Sequence, residues 1–384
     1  MTLYLDHNAT TPLDERVLEA MLPYLRGSCG NPSSRHLQGR LARSAIDQAR
    51  EQVAALVNAH PGQVIFTSGG TEANNLAFKG MAERCSPGRI AVSAVEHPSV
   101  LEPAERLARH DWQIDSIGVD SDGRLRLEAL ERLLHQADLK LISIMLANNE
   151  TGTIQDLNSI KETMAECGAL LHSDAVQAVG KMEVDFRRLG VDLMTLSSHK
   201  IYGPKGAGAL IADRSVGLEA QMDGGGQERG LRAGTENVAA IVGFGRAAEL
   251  ALSELQANST HMLELRNYLE SKLAEMSGVV CFAQQAERLP NTLFMSVAGV
   301  DGEMLLMQMD RHDTAISSGS ACASGKTEPS HVLVAMGVDK GLARGAVRIS
   351  LGKNSSREDV DSFCRLLAKV TDEMAQMGAM MANG

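Results

Sequence analysis

Lys200 stands in Ser197-Ser198-His199-Lys200, at the end of an apolar run and just before the turn Ile201-Tyr202-Gly203-Pro204-Lys205-Gly206. A primary amine held there can form a Schiff base with an aldehyde cofactor. Most lysines at strand ends are solvated charges, so the case rests on what accompanies this one. Asp174, in Leu171-His172-Ser173-Asp174-Ala175-Val176-Gln177, follows a buried strand. A carboxylate there is costly unless it is paired, and the protonated ring nitrogen of pyridoxal phosphate is such a partner. Gln177, three residues on, is spaced to reach the ring hydroxyl. His97, in Val95-Glu96-His97-Pro98, can stack on a ring and move protons. Asn149, in Ala147-Asn148-Asn149-Glu150-Thr151-Gly152, can donate to the ring oxygen. Ser68-Gly69-Gly70-Thr71-Glu72 adds an anion site, because its glycines admit close backbone approach at a helix start and Thr71 brings a hydroxyl. Each residue alone also fits an ordinary cap, turn or salt bridge; their joint placement is what points to pyridoxal phosphate.

The elements that must position them alternate. Val64–Thr67 reads as a strand, and Gly69 then opens a helix through Met81. Further strands are expected at Ile90–Val95, Leu139–Ala147, Ala169–Ser173, Leu193–Ser197 and Ala207–Ala212, with helices from about Pro98 and from Leu157 to Cys167. This alternation implies an α/β domain around a mainly parallel sheet. In such sheets ligands lie beyond the carboxyl ends of the strands, where His97, Asn149, Asp174 and Lys200 all fall. After Gly245 one long helical pattern runs to about Met276, and short strands follow at Thr292–Val297 and Gly345–Ser350. A smaller second domain is expected there, joined by the N-terminal strand Leu3-Tyr4-Leu5.

The 384 residues, 44% hydrophobic and 22% charged, suit a globular enzyme with an ample core. No run approaches the roughly 18 apolar residues of a membrane span. The N-terminus shows no basic region followed by an apolar one, so a cytoplasmic protein is expected. The net charge of −11 argues against general nucleic-acid binding. Six scattered cysteines without a CxxC pair favour reduced thiols and give no metal pattern.

The order His97, Asn149, Asp174-x-x-Gln177, Ser197-x-His199-Lys200 resembles the class V aminotransferase-fold enzymes that use pyridoxal phosphate, and within them the cysteine desulfurases of the NifS/IscS type. The resemblance runs over essentially the whole chain, from Tyr4-Leu5-Asp6-His7-Asn8-Ala9-Thr10-Thr11-Pro12 to Val347-Arg348-Ile349-Ser350-Leu351-Gly352. It implies fold type I of the pyridoxal-phosphate-dependent transferases. A large α/β domain over 14–250 would hold a mainly parallel seven-stranded sheet. A smaller α+β domain, built from 1–13 and 251–384, would carry a catalytic loop at about 318–332. By the same resemblance Lys200 is the Schiff-base lysine. Gly70, Thr71, Ser197 and His199 surround the phosphate, while Asp174, Gln177, Asn149 and His97 surround the ring. Thr235 would reach the phosphate of a partner subunit, which implies a homodimer. Arg348, with Asn149, would hold the carboxylate of L-cysteine, since a guanidinium fork matches that group.

The residue that selects the reaction is Cys322, in Ser317-Ser318-Gly319-Ser320-Ala321-Cys322-Ala323-Ser324-Gly325. Small residues and glycines around it suit an exposed, adaptable loop, and the segment matches the desulfurase loop in its long form. Cys322 is expected to take the substrate sulfur as a persulfide and pass it to an acceptor protein. That acceptor is an iron–sulfur scaffold, a thiolation relay, or a pathway serving nitrogenase or DNA modification. Cys29, Cys85, Cys167, Cys281 and Cys364 are expected to be buried small apolar residues. Two rival readings share the lysine and aspartate: another enzyme of the same fold, such as an aminotransferase or selenocysteine lyase, and a silent subunit. The group that takes the proton from the thiol, His97 or the substrate amine, stays open.

Overall fold

The computed structural model describes residues 2–318 and 329–382. Thirteen strands form among them. β1 (Leu3–Tyr4) is followed by β2 (Val64–Thr67), β3 (Arg89–Ser93), β4 (Gln113–Ile117), β5 (Leu139–Ser143), β6 (Leu170–Asp174), β7 (Leu193–Ser197) and β8 (Gly208–Ala212). After these come β9 (Val279–Cys281), β10 (Thr292–Val297), β11 (Thr314–Ala315), β12 (Ser317–Ser318) and β13 (Ala346–Ser350).

β2 to β8 make a seven-stranded sheet in the order β2-β8-β7-β6-β5-β3-β4. Only β8 runs against its neighbours, so the sheet is mainly parallel, as expected. Its inner strands are buried on both faces, which is why they read as continuous apolar runs rather than alternating ones. Because β7, β6, β5 and β3 are consecutive and parallel, their carboxyl ends open on one edge. β2 points the same way through the double reversal at β8, which brings the Gly69-Gly70-Thr71 turn to that edge.

β12, β13, β10 and β9 form a four-stranded antiparallel sheet, and β1 pairs with β11 in parallel. Four apolar cores pack on these sheets: around Ile142, Leu171, Leu196 and Phe244; around Ile65, Phe78, Ile90 and Leu210; around Leu5, Leu269, Leu293 and Phe363; and around Val95, Met145, Phe282 and Phe294. No helix among the described residues is long and apolar enough to cross a membrane.

Two elements depart from expectation. The single helix expected after Gly245 is two, Val238–Ser253 and Leu255–Ala274, broken at Glu254. The first packs on helices Glu15–Arg26 and Leu37–Leu56, the second on helix Arg357–Ala382. The break lets each half serve a different core, and Glu254 ion-pairs there with Arg16 at 2.5 Å. The strand expected over 139–147 ends at Ser143. Ile144 and Leu146 still donate to His172 and Asp174 carbonyls, but the Met145 amide turns away and donates to the Glu96 carboxylate at 2.5 Å.

Candidate functional site

A cavity of about 230 Å³ opens at the shared strand edge. Gly70, Thr71, His97, Asn149, Asp174, Gln177, Ser197, His199 and Lys200 line it, together with Ser99, Met145 and Val176. Nine of these twelve are residues that sequence motifs or the family resemblance point to. The three others come from a helix start, an irregular strand end and a turn, positions whose direction only the folded chain sets.

Lys200 closes the short turn Ser198–Lys200 after β7. Its Nζ donates to the backbone carbonyls of Asn8 and Ala9, the latter at 2.7 Å. Burial first, and then the Arg348 charge, push its pKa down from 10.5 to about 8. The amine is thus far closer to its nucleophilic form at neutral pH than a surface lysine.

Asp174 ends β6 and is buried. One carboxylate oxygen accepts from Asn74 Nδ2 at 2.8 Å and the other from the Val176 amide at 2.9 Å. No cation pairs with it at salt-bridge distance among the described residues, which leaves it suited to a cationic ligand atom. Gln177 is turned by two contacts: its Oε1 accepts from Lys181 Nζ at 2.7 Å and its Nε2 donates to the Asn8 carbonyl at 2.9 Å. With its oxygen taken by Lys181 and one amide hydrogen by Asn8, Gln177 has one amide hydrogen left for the cavity. Lys181 itself is buried, and its pKa falls well below the usual lysine range through desolvation and the nearby Lys200.

The anion end is built from neutral donors. Gly70 begins the helix Gly70–Ala82. Gly208 on β8 must be glycine, because a Cβ there would lie 2.6 Å from the Gly69 backbone. Ser197 Oγ is buried and has no partner, an arrangement that costs about 1–3 kcal/mol unless a ligand satisfies it. His199 Nδ1 contacts Thr10 Oγ1 at 3.1 Å, and burial followed by the Lys200 charge lowers its pKa to about 4. An orphaned hydroxyl, a helix start and a lysine amine around one cavity fit pyridoxal phosphate.

A matching profile of the class-V aminotransferases spans residues 3–363. A cysteine desulfurase IscS from Anaeromyxobacter sp. is 44% identical over 98% of this chain and 94% of its own. The chain belongs to the cysteine desulfurase branch of the class-V aminotransferases. A second relative, cysteine desulfurase IscS of Dictyoglomus turgidum, is 42% identical over 97% of this chain and 95% of its own. Among solved structures, a NifS-like protein superposes with a TM-score of 0.91 at 38% identity, covering 97% of this chain and all of its own. The enzymes of this branch depend on pyridoxal phosphate.

Arg348 and Thr235 are not among the residues lining this cavity. Arg348, buried on β13, pairs through Nη2 with Asp6 Oδ1 at 2.6 Å and donates from Nη1 to the Asn149 carbonyl at 3.1 Å; its Nε is unpaired. Thr235 is exposed. Cys322 lies outside the described residues. The chain reaches that segment from β12, whose Ser317 is in register with Arg348. It returns at Ser330, which donates to the Glu150 carboxylate, and His331, whose Nε2 meets the Glu96 carbonyl at 2.9 Å.

Five residues of the site escaped sequence reasoning: Asn74, Ser99, Glu96, Glu150 and Lys181. Glu96 is fully buried beside Asp174, and both its burial and that charge raise its pKa well above the usual range. Cys29 and Cys85, expected to be buried, are exposed, and Cys167 and Cys281 are half-buried. Cys29 and Cys85 both follow helix ends, where the chain turns at the surface. Cys364 is buried as expected, and burial pushes its thiol up to about 11.

Proposed function

We propose that the chain removes sulfur from L-cysteine, releasing L-alanine and leaving a persulfide on Cys322 for transfer to an acceptor protein. The reading is carried by the full-length likeness to cysteine desulfurases. Supporting it is the convergence of Lys200, Asp174, His97 and Ser197 on one cavity. A related structure, described as SspA in complex with cysteine, has a TM-score of 0.81 at 31% identity, over 93% of this chain and all of its own.

Pyridoxal phosphate, when bound, supplies an electron-accepting ring conjugated to the substrate Cα. Lys200 would hold its aldehyde carbon and would move the proton at the substrate Cα. Asp174 holds the ring nitrogen in its protonated form, and the Gln177 amide donates to the ring oxygen. Asn149 would also face the ring, and His97 would stack on it. Gly70, Thr71, Ser197 and His199 bind the phosphate, with Thr235 supplied by the second subunit of a homodimer. Arg348, beside Asn149, orients the substrate carboxylate. The Cys322 thiolate then bonds to the substrate sulfur. The carbon–sulfur bond breaks with its electron pair left on carbon, which takes up protons and leaves as alanine. The balance is one L-cysteine and one thiol giving one L-alanine and one persulfide.

The cores around Phe244 and Phe363 support a large domain over 14–250 and a smaller one from 1–13 and 251–384, which a further cluster of Val95, Met145, Phe282 and Phe294 joins. A cytoplasmic location and an acceptor such as an iron–sulfur scaffold or a thiolation relay complete the reading. Product analysis tests it. L-cysteine should yield alanine and protein-bound sulfur in equal amounts, whereas a keto acid product would make the chain an aminotransferase.

A further inference from the structure

His97 caps the helix Pro98–Ala108, and its Nδ1 accepts the backbone N–H of Ser99 at 3.1 Å. A backbone N–H can only donate, so Nδ1 carries a lone pair. Ser99 Oγ lies 2.7 Å from the same nitrogen and must therefore donate its hydrogen to it. Oγ in turn accepts from Asn74 Nδ2 at 2.8 Å, and the second hydrogen of that amide goes to Asp174 Oδ2, also at 2.8 Å. A carboxylate accepts, which fixes the amide face of Asn74. Asn74 is completely buried and Ser99 nearly so, so water does not replace these contacts. The hydrogen-bond direction is thus set at Asp174 and runs without a free choice to His97.

We infer that Asn74 and Ser99 are positioning residues that lock His97 with its proton on Nε2, so that it faces the cavity as a donor. This rests on the proposed desulfurase reading for its consequence: Nε2 already holds a proton, so it cannot accept one from a thiol. His97 serves as an oriented hydrogen-bond donor, and the base that frees a thiolate is another group. The charged and titratable groups facing the ring are Asp174, Lys200 and His331. Burial, reinforced by the Lys200 and His331 charges, outweighs Asp174, and the ring's pKa lies below the ordinary histidine value. That keeps the ring neutral and the single-tautomer state relevant at working pH.

Long-range proton–nitrogen correlation spectra of the holoenzyme read the tautomer directly, with His97 assigned by difference against His97→Gln. Between about pH 7 and 9 the expected result is an unprotonated Nδ1 and a protonated Nε2. Ser99→Ala should shift the signal toward mixed tautomers and lower kcat on the order of tenfold, the size of one lost positioned hydrogen bond. KM for L-cysteine should stay within about twofold in the same variant, because the hydroxyl does not bind substrate. Ser99→Thr, which keeps the hydroxyl, should restore both readings. Asn74→Ala should behave as Ser99→Ala does; if it does not fold, the Ser99 pair decides alone. A proton on Nδ1 in the native enzyme overturns the inference, as does a Ser99→Ala spectrum or kcat equal to the native one. The spectrum needs no turnover. A chain holding this tautomer yet releasing no alanine would therefore overturn the proposed reaction and leave the positioning role standing.

Discussion

Arg348 and Asp6 form a buried-edge ion pair, with Nη2 2.6 Å from Oδ1, while the guanidinium Nε is left without a partner. A second Arg348 nitrogen donates to the Asn149 carbonyl. Asp6 thus holds the fork in place without using all of it, and a substrate carboxylate has donors left to engage. Arg348→Ala should raise KM for L-cysteine about ten- to a hundredfold, the size of a lost charge-assisted hydrogen bond. Its kcat should change far less. Arg348→Lys should recover little, since an ammonium lacks the fork. Steady-state kinetics check this, and an unchanged KM would move the carboxylate site elsewhere.

Lys200 gives a prediction with a definite sign. Its amine titrates at 10.5 when unfolded and at about 8 when folded. Between those values the unfolded chain binds more protons, so apoprotein stability rises with pH across that window. Lys200→Met removes the cost of burying the charge. The variant should melt at higher temperature than the native apoprotein at pH 7, and the advantage should shrink as pH rises through the window. Thermal denaturation of the two apoproteins against pH checks it; an advantage that grows with pH contradicts it. Lys200→Ala should also lose the visible absorbance of the lysine-bound cofactor.

Ser197 and His199 are proposed to hold the phosphate. The Ser197 hydroxyl is buried without a partner, so Ser197→Ala should cost cofactor affinity about tenfold, one neutral hydrogen bond, while stabilising the apoprotein by about 1–3 kcal/mol through removal of the unsatisfied group. With its pKa near 4, His199 is neutral throughout the physiological range. Cofactor binding should accordingly show no break between about pH 5.5 and 7 attributable to this residue. Equilibrium binding followed by absorbance measures both, and a break that vanishes in His199→Gln would show a charged histidine instead.

Much of the fold was legible because the sheet is buried on both faces. β2, β7 and β8 are mostly apolar, and Lys200 follows the end of β7 as Asp174 ends β6. Chain order alone then gathers them at one edge. Lys181 was not legible, for its role depends on Asn8, 173 positions away, and on Gln177. Asn74 and Ser99 read as helix residues, and their bond to each other depends on two helices packing side by side. The break at Glu254 was hidden because glutamate is a good helix former, so local propensity ran on where tertiary packing did not.

Cys322 carries the central claim. Cys322→Ser should still take up the cofactor and bind L-cysteine, since none of the cavity-lining residues changes.

The most direct measurement is intact-mass and peptide mapping of the native holoenzyme after a single turnover with L-cysteine. One added sulfur on the peptide bearing Cys322, with one alanine released per chain and no added sulfur in Cys322→Ser, is the predicted result. Sulfur found on another cysteine, or alanine released at the native rate by Cys322→Ser, would contradict the account.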